Sequence, residues 1–176
     1  FPLLSLKLQQ LIKEVHENME IITIPHSGKI AHKDSTGGNG VITAGDVQVM
    51  SAGSGVTHSE FNGSETEALT LFQIWIFPNK KNVAPRYDQK KFDESGRKNK
   101  FQLLDSNAGR NDSLMIHQDA FLSLVELEDN KNVNYKNFSA DNGLFVIAVE
   151  GEISIADEKL NRRDAIGISD VESVEI

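Results

Sequence analysis

The chain contains no cysteine. That excludes disulfides, thiolate nucleophiles, Fe–S clusters and every cysteine-bearing zinc site, so any metal must sit on histidine and carboxylates. Long apolar runs are missing too: the longest, LFQIWIF over 71–77, is interrupted by Gln73 and is far too short to cross a bilayer. The opening residues, FPLLSLKLQQLIKEV, show no basic stretch ahead of an apolar one and no small-residue cleavage site, so a cytoplasmic location is expected. Positive charge is in deficit. With 18 Lys and Arg against 26 Asp and Glu the net charge is −8, which argues against a nucleic-acid backbone as the main partner. What is present, 39% hydrophobic and 25% charged residues in a chain of 176, is an ordinary globular composition able to bury a core.

Short segments rich in Ile, Val, Phe and Thr, bounded by Gly, Asn or Asp, predict strands over 20–24, 28–32, 46–50, 70–77, 122–128, 144–149 and 152–156. Turn signals at Ser27-Gly28, the GGNG of 37–40, Asn62-Gly63, Asn142-Gly143 and Glu150-Gly151 recur at the interval of a sandwich or barrel. Only one helical pattern occurs, an apolar stripe of Leu4, Leu8, Leu11, Ile12 and Val15. Residues 78–100 carry eight of the 18 basic residues and two of the four prolines, Pro78 and Pro85, and read as a solvated linker. The chain therefore divides into an N-terminal domain, 1–77, the linker, 78–100, and a C-terminal domain, 101–176. The halves also repeat. Gly28 opens GKIAHKD and precedes AGDVQVMS, while Gly151 opens GEISIAD and precedes RDAIGIS, so each copy runs strand, turn, Asp, strand.

The histidines carry the candidate chemistry. His58 and Glu60 in THSE are two apart and project from one face of a strand. Glu14 and His16 in EVHENME share that spacing, and Glu20 follows four beyond His16. Imidazole and carboxylate together form the usual ligand set for non-haem iron, manganese or zinc with open coordination positions. Two such pairs flanking one hairpin are better support than either alone. His26, beside a turn, reads as an exposed residue, and His32 and His117 as hydrogen-bonded structural histidines. Ser59, His58 and Glu60 cannot form a hydrolytic triad, because adjacent strand residues face opposite ways. The glycine clusters at 37–40 and 53–55 read as turns, since neither matches a phosphate-loop signature.

Residues 14–28 resemble the first cupin motif, with Glu14 where the first histidine is expected, and 45–62 resemble the second, with Ser51 in place of proline and then Gly53 and His58-X3-Asn62. Within the cupins, MEIITI, AHKDS, AGDVQVMSAGSGVTHSE and LFQIWIFP are similar to the pirin family; PRYDQKKF and HQDAFLSLVEL resemble bacterial pirin-like proteins with quercetinase activity. The resemblance implies an all-β bicupin, two tandem jelly-roll barrels, with one iron(II) in the N-terminal barrel. Manganese, zinc or nickel are the other candidate ions. The ligands implied are Glu14, His16, His58 and Glu60, with Glu60 as ligand, as catalytic general base, or as both. Glu20, a ligand in the general cupin pattern, is not one in the pirin pattern, which is followed here. The C-terminal cupin, with no histidine after His117, is expected to be structural and free of metal. Thirteen residues precede Glu14, fewer than the family's first β segment, and the end at 174–176 falls short of its last strand. The expectation is a truncated chain or a rebuilt, incomplete first barrel. Two activities follow from the resemblance. One is an iron-dependent dioxygenase acting with O2 on a flavonol-like aromatic, quercetin 2,3-dioxygenase in type; the other is a metal-binding regulator or ligand-binding module without turnover, with a protein partner.

Overall fold

The structure, a computed structural model, describes residues 4–6, 12–139 and 141–176, with side chains from residue 14 onward. Among the described residues are 18 strands: β1 Leu4–Leu6, β2 Ile12–His16, β3 Glu20–Ser27, β4 Lys29–Asp34, β5 Asn39–Thr43, β6 Asp46–Ser51, β7 Val56–Asn62, β8 Leu69–Ile76, β9 Arg86–Lys91, β10 Gln102–Asn107, β11 Leu114–Ile116, β12 Phe121–Leu124, β13 Asn134–Lys136, β14 Leu144–Ile147, β15 Ile153–Ile155, β16 Glu158–Leu160, β17 Ala165–Ile168 and β18 Ser173–Glu175. Two short 3-10 turns, Glu94–Gly96 and Arg110–Asp112, complete it. The strand spans expected for residues 20–50 and 70–77 are present within a few residues. The N-terminal helix is not: the described parts of that stripe are strands β1 and β2, while Leu8 and Leu11 lie outside the described residues. Pairing decides this, because β1 runs antiparallel to β8 and β2 to β7. Val15 points outward, 76% exposed, instead of joining an apolar stripe.

The chain forms two compact units, one of residues 2–94 and 103–122, the other of 95–102 and 123–176. The first is a two-sheet sandwich, cupin-like and not a closed barrel. One sheet has the order β1-β8-β3-β6-β9 and the other β2-β7-β4-β5. Residues 78–100, read as a linker from their charge, include β9, which pairs with β6 from Asp46↔Lys91 to Ser51↔Arg86 and covers a strand with every residue buried. Its charges sit on an edge strand, from which Asp88 and Lys91 are exposed. The segment holding β10 and β11 also packs with this unit. Ile30, Ile42, Leu69 and Leu71 make one buried apolar cluster, and Ile21, Met50, Ala52 and Val56 another.

The second unit pairs β14 with β17, β15 with β16 and β13 with β18, all antiparallel, over a core of Ala148, Ile155, Leu160, Val174 and Ile176. The repeat read in the sequence is visible in both. In the first unit β3 pairs β6 across the β4–β5 hairpin, and in the second β14 pairs β17 across the β15–β16 hairpin. The turn device is also shared. Asp46 Oδ2 accepts the Thr43 N–H at 2.8 Å, and Asp164 Oδ2 accepts the Asn161 N–H at 2.9 Å. A carboxylate bonding a backbone N–H in this way replaces the ladder bond that a tight turn loses.

Candidate metal centre

Strand alternation sends Val56, His58, Glu60 and Asn62 of β7 inward, and Ile30, His32 and Asp34 of β4 with them. Register then builds the site. Glu14 of β2 and Asp34 of β4 flank His58, while His32 flanks Glu60. Directly paired residues on one sheet face lie within side-chain reach, so three strands gather three histidines and three carboxylates. From the opposite sheet β6 and β8 contribute Gln48 and Gln73, both in register with Thr23 of β3.

Glu14 Oε2 accepts a hydrogen bond from His16 Nε2 at 2.9 Å and lies 3.6 Å from His58 Nε2. The His16 and His58 rings are 5.1 Å apart. On the other side of His58, its Nδ1 is 3.9 Å from Glu60 Oε1, and His32 Nδ1 is 3.4 Å from the same oxygen. Two donor groups with ligand atoms within 4.8 Å of one another result: Glu14, His16 and His58, and His32, His58 and Glu60. Glu14 and His16 thus fall in one group and Glu60 in the other, with His58 shared between them. Neither ring nitrogen of the buried His58 has a hydrogen-bond partner. An unpartnered imidazole in a dry site is costly unless something else takes its lone pair, and in this respect the residues fit a bound cation.

Electrostatics agree. Burial lowers the His58 pKa, and the His16 and His32 charges add to that against the opposing pull of Glu60 and Glu14, so the ring is held neutral, the ligating form. For Glu60 burial alone would raise the pKa, but the His32 imidazole 3.4 Å away and the amide of Gln48 outweigh it and hold the pKa below the usual carboxylate value. Gln48 Nε2 donates to Oε1 at 2.9 Å and Gln73 Nε2 to Oε2 at 2.8 Å. Gln73 Oε1 in turn accepts the indole N–H of Trp75 at 3.0 Å, and the Trp75 ring meets His16 edge-on at 5.1 Å.

Glu20 is fully buried but lies outside both donor groups, its Oε2 accepting the Ser51 hydroxyl at 2.7 Å. Ser59 faces away from His58 and Glu60, as the alternation requires. His26 is exposed at the end of β3. His117 packs in the first compact unit, where its backbone N–H lowers the Glu20 pKa against a larger upward effect of burial. His32, expected as a structural histidine, is hydrogen-bonded as such but stands inside the donor cluster. The spacing His32-X-Asp34, identical to that of the other two pairs, was its available signal. Gln48 and Gln73, which reach Glu60 only across the facing sheets, and Trp75, which meets Gln73 and His16, had none.

A histidine–carboxylate cluster enclosed between two antiparallel sheets defines a metal-binding cupin. Residues 6–76 match the family model for Pirin and residues 103–176 that for the Quercetinase C-terminal cupin domain. The chain is 38% identical over 162 residues to quercetin 2,3-dioxygenase of Escherichia coli strain K12, covering 92% of this chain and 68% of that protein. It is 38% identical over 156 residues to the pirin-like protein of Caulobacter vibrioides, covering 88% and 66%. Among solved structures, the bacterial pirin YhhW of Escherichia coli in complex with nickel(II) matches with a TM-score of 0.89 at 32% identity, over 97% of this chain and 72% of that one. The chain belongs to the pirin family and spans about two thirds of the length of these relatives.

Proposed function

We propose that the protein binds one divalent metal ion through Glu14, His16, His58 and Glu60 and uses it to oxidise a flavonol-like aromatic with O2, as a quercetin 2,3-dioxygenase. Iron(II) is the first candidate; manganese, zinc and nickel also suit two imidazoles and two carboxylates. The observation that carries the reading is His58, buried with both ring nitrogens unpartnered between two carboxylates. A metal bound there supplies Lewis acidity toward an enol oxygen. Glu60, with its pKa held low, is the base proposed to take the hydroxyl proton, while Gln48 and Gln73 fix its direction. The half-exposed Trp75 offers an aromatic face beside His16. The second unit, with a continuous apolar core, is proposed as structural.

Metal analysis of protein grown with added iron, followed by admission of air to an anaerobic protein–flavonol mixture, tests this. The expected result is about one metal per chain and flavonol loss on aeration, both removed by His58→Ala. A folded protein with no metal sinks the site. Bound metal without flavonol turnover sinks the dioxygenase reading and leaves the regulatory one.

A further inference from the structure

The site reading leaves a buried pair with no assigned task. His32 and Asp34 lie on β4 with fully enclosed side chains, behind the expected ligand Glu60. Asp34 is tied down from several directions: its Oδ1 accepts the Thr36 N–H at 2.7 Å, the Thr36 hydroxyl at 2.6 Å and the Gly38 N–H at 3.0 Å. Its other oxygen accepts His32 Nε2 at 3.0 Å. Tyr87 stacks on the His32 ring at 4.7 Å with planes 28° apart, removing its remaining rotational freedom. The second ring nitrogen is left pointing at Glu60 Oε1, 3.4 Å away.

We propose that His32 is a positioning residue that holds the Glu60 carboxylate for the metal, with Asp34 acting only through His32. Ionised carboxylates accept and never donate. The Nε2 that meets Asp34 therefore carries an N–H, and Nδ1 faces Glu60 Oε1 at 3.4 Å without making an aligned hydrogen bond. Glu60 is thus backed by the His32 ring from its own sheet and receives two donors from the facing sheet, through Gln48 and Gln73. This fixes the plane of the carboxylate before any ion arrives. Outer groups of this kind typically change metal affinity by about ten- to a hundredfold when removed. The inference rests on Glu60 being a ligand, as proposed above.

Ni2+ titration of the full chain, reading stoichiometry and affinity separately, tests it alongside melting curves. His32→Leu should keep the wild-type stoichiometry while weakening affinity by about ten- to a hundredfold. His32→Asn, whose amide can donate near the position of Nδ1, should recover most of that loss. Asp34→Asn should weaken affinity in the same direction, and the double variant His32→Leu/Asp34→Asn should be no weaker than His32→Leu alone. Stoichiometry falling to zero in folded His32→Leu, as in His58→Ala, would make His32 a ligand and overturn the assignment. So would an affinity equal to wild type in His32→Leu with only the melting temperature lowered, the behaviour of a merely structural histidine. If His32→Leu does not fold, the two asparagine variants decide: an Asp34→Asn affinity equal to wild type overturns the proposal. Wild-type protein that takes up no Ni2+ overturns the site reading and this inference together, a result distinct from any in which only the variants disagree.

Discussion

Asp105 is a carboxyl that folding buries completely without a donor for either oxygen. Burial raises its pKa to about 8, and the charge of Arg86 offsets this only in part. The folded state therefore holds a proton on Asp105 that the unfolded chain releases near the ordinary carboxylate value. The stability linked to that proton is complete in acid and is lost as pH rises toward about 8. Asp105→Asn copies the protonated form. Thermal melts should show the variant close to wild type at low pH and more stable at pH above the shifted pKa, by at least about 1 kcal/mol; equal stability at both extremes would mean that Asp105 is solvated. Glu14 permits a second prediction. Its carboxylate stands where the pirin motif has imidazole, adding negative charge that suits harder ions. Glu14→His should shift metal preference toward ferrous iron over manganese, measured by competition, and an unchanged ratio would place Glu14 outside the ligand set.

The β4–β5 hairpin couples a turn to the site. A Cβ on Gly38 would stand 2.3 Å from Asp34 Oδ2, which cannot yield easily because the carboxylate is held by Thr36, His32 and the Gly38 N–H itself. Gly37, next to it, has open space but φ +92°. Gly38→Ala should cost about 1–3 kcal/mol through overpacking and also weaken Ni2+ binding, because Asp34 must move and His32 with it. Gly37→Ala should cost about 1–2 kcal/mol through backbone strain alone and leave Ni2+ affinity where it was. Paired melts and titrations separate the two. If both variants lost affinity equally, the coupling would be general loosening of the hairpin.

The extent of the first unit also makes a prediction about fragments. Deleting everything after residue 77 removes β9 and uncovers β6, of which all six residues are buried. It also removes Val83, whose carbonyl accepts the Ser54 N–H, and the β10–β11 pair, which is parallel from Asp105↔Leu114 to Asn107↔Ile116. A fragment ending at residue 122 retains all of these. Circular dichroism and urea melts should show cooperative unfolding for 1–122 and none for 1–77; a cooperative 1–77 fragment would restore the boundary suggested by the charge of 78–100. That boundary is accordingly proposed to lie after β11 in space, with 95–102 crossing to the second unit.

Much of this protein is legible in local pattern. Alternation alone places His58 and Glu60 on one face and Ser59 on the other, and the turn glycines and the paired Asp46 and Asp164 mark the repeat, because strand period and turn geometry act over a few residues. The motif wording carried the family. Beyond that range local pattern misleads: an apolar spacing of three and four around Leu4 to Val15 satisfies a helix, yet β1 and β2 are strands because β8 and β7 offer them unpaired edges. The charged stretch 78–100 looks solvated until β6 supplies a partner for β9. His32 looked structural because its neighbours in the chain say nothing of Glu60, 28 positions away, which cross-strand register sets beside it. Gln48 and Gln73 reach Glu60 from the other sheet. Ligand-bearing strands can be recognised from their own residues, but the donors that orient a ligand come from whichever surface folding brings opposite, and that choice belongs to long-range packing.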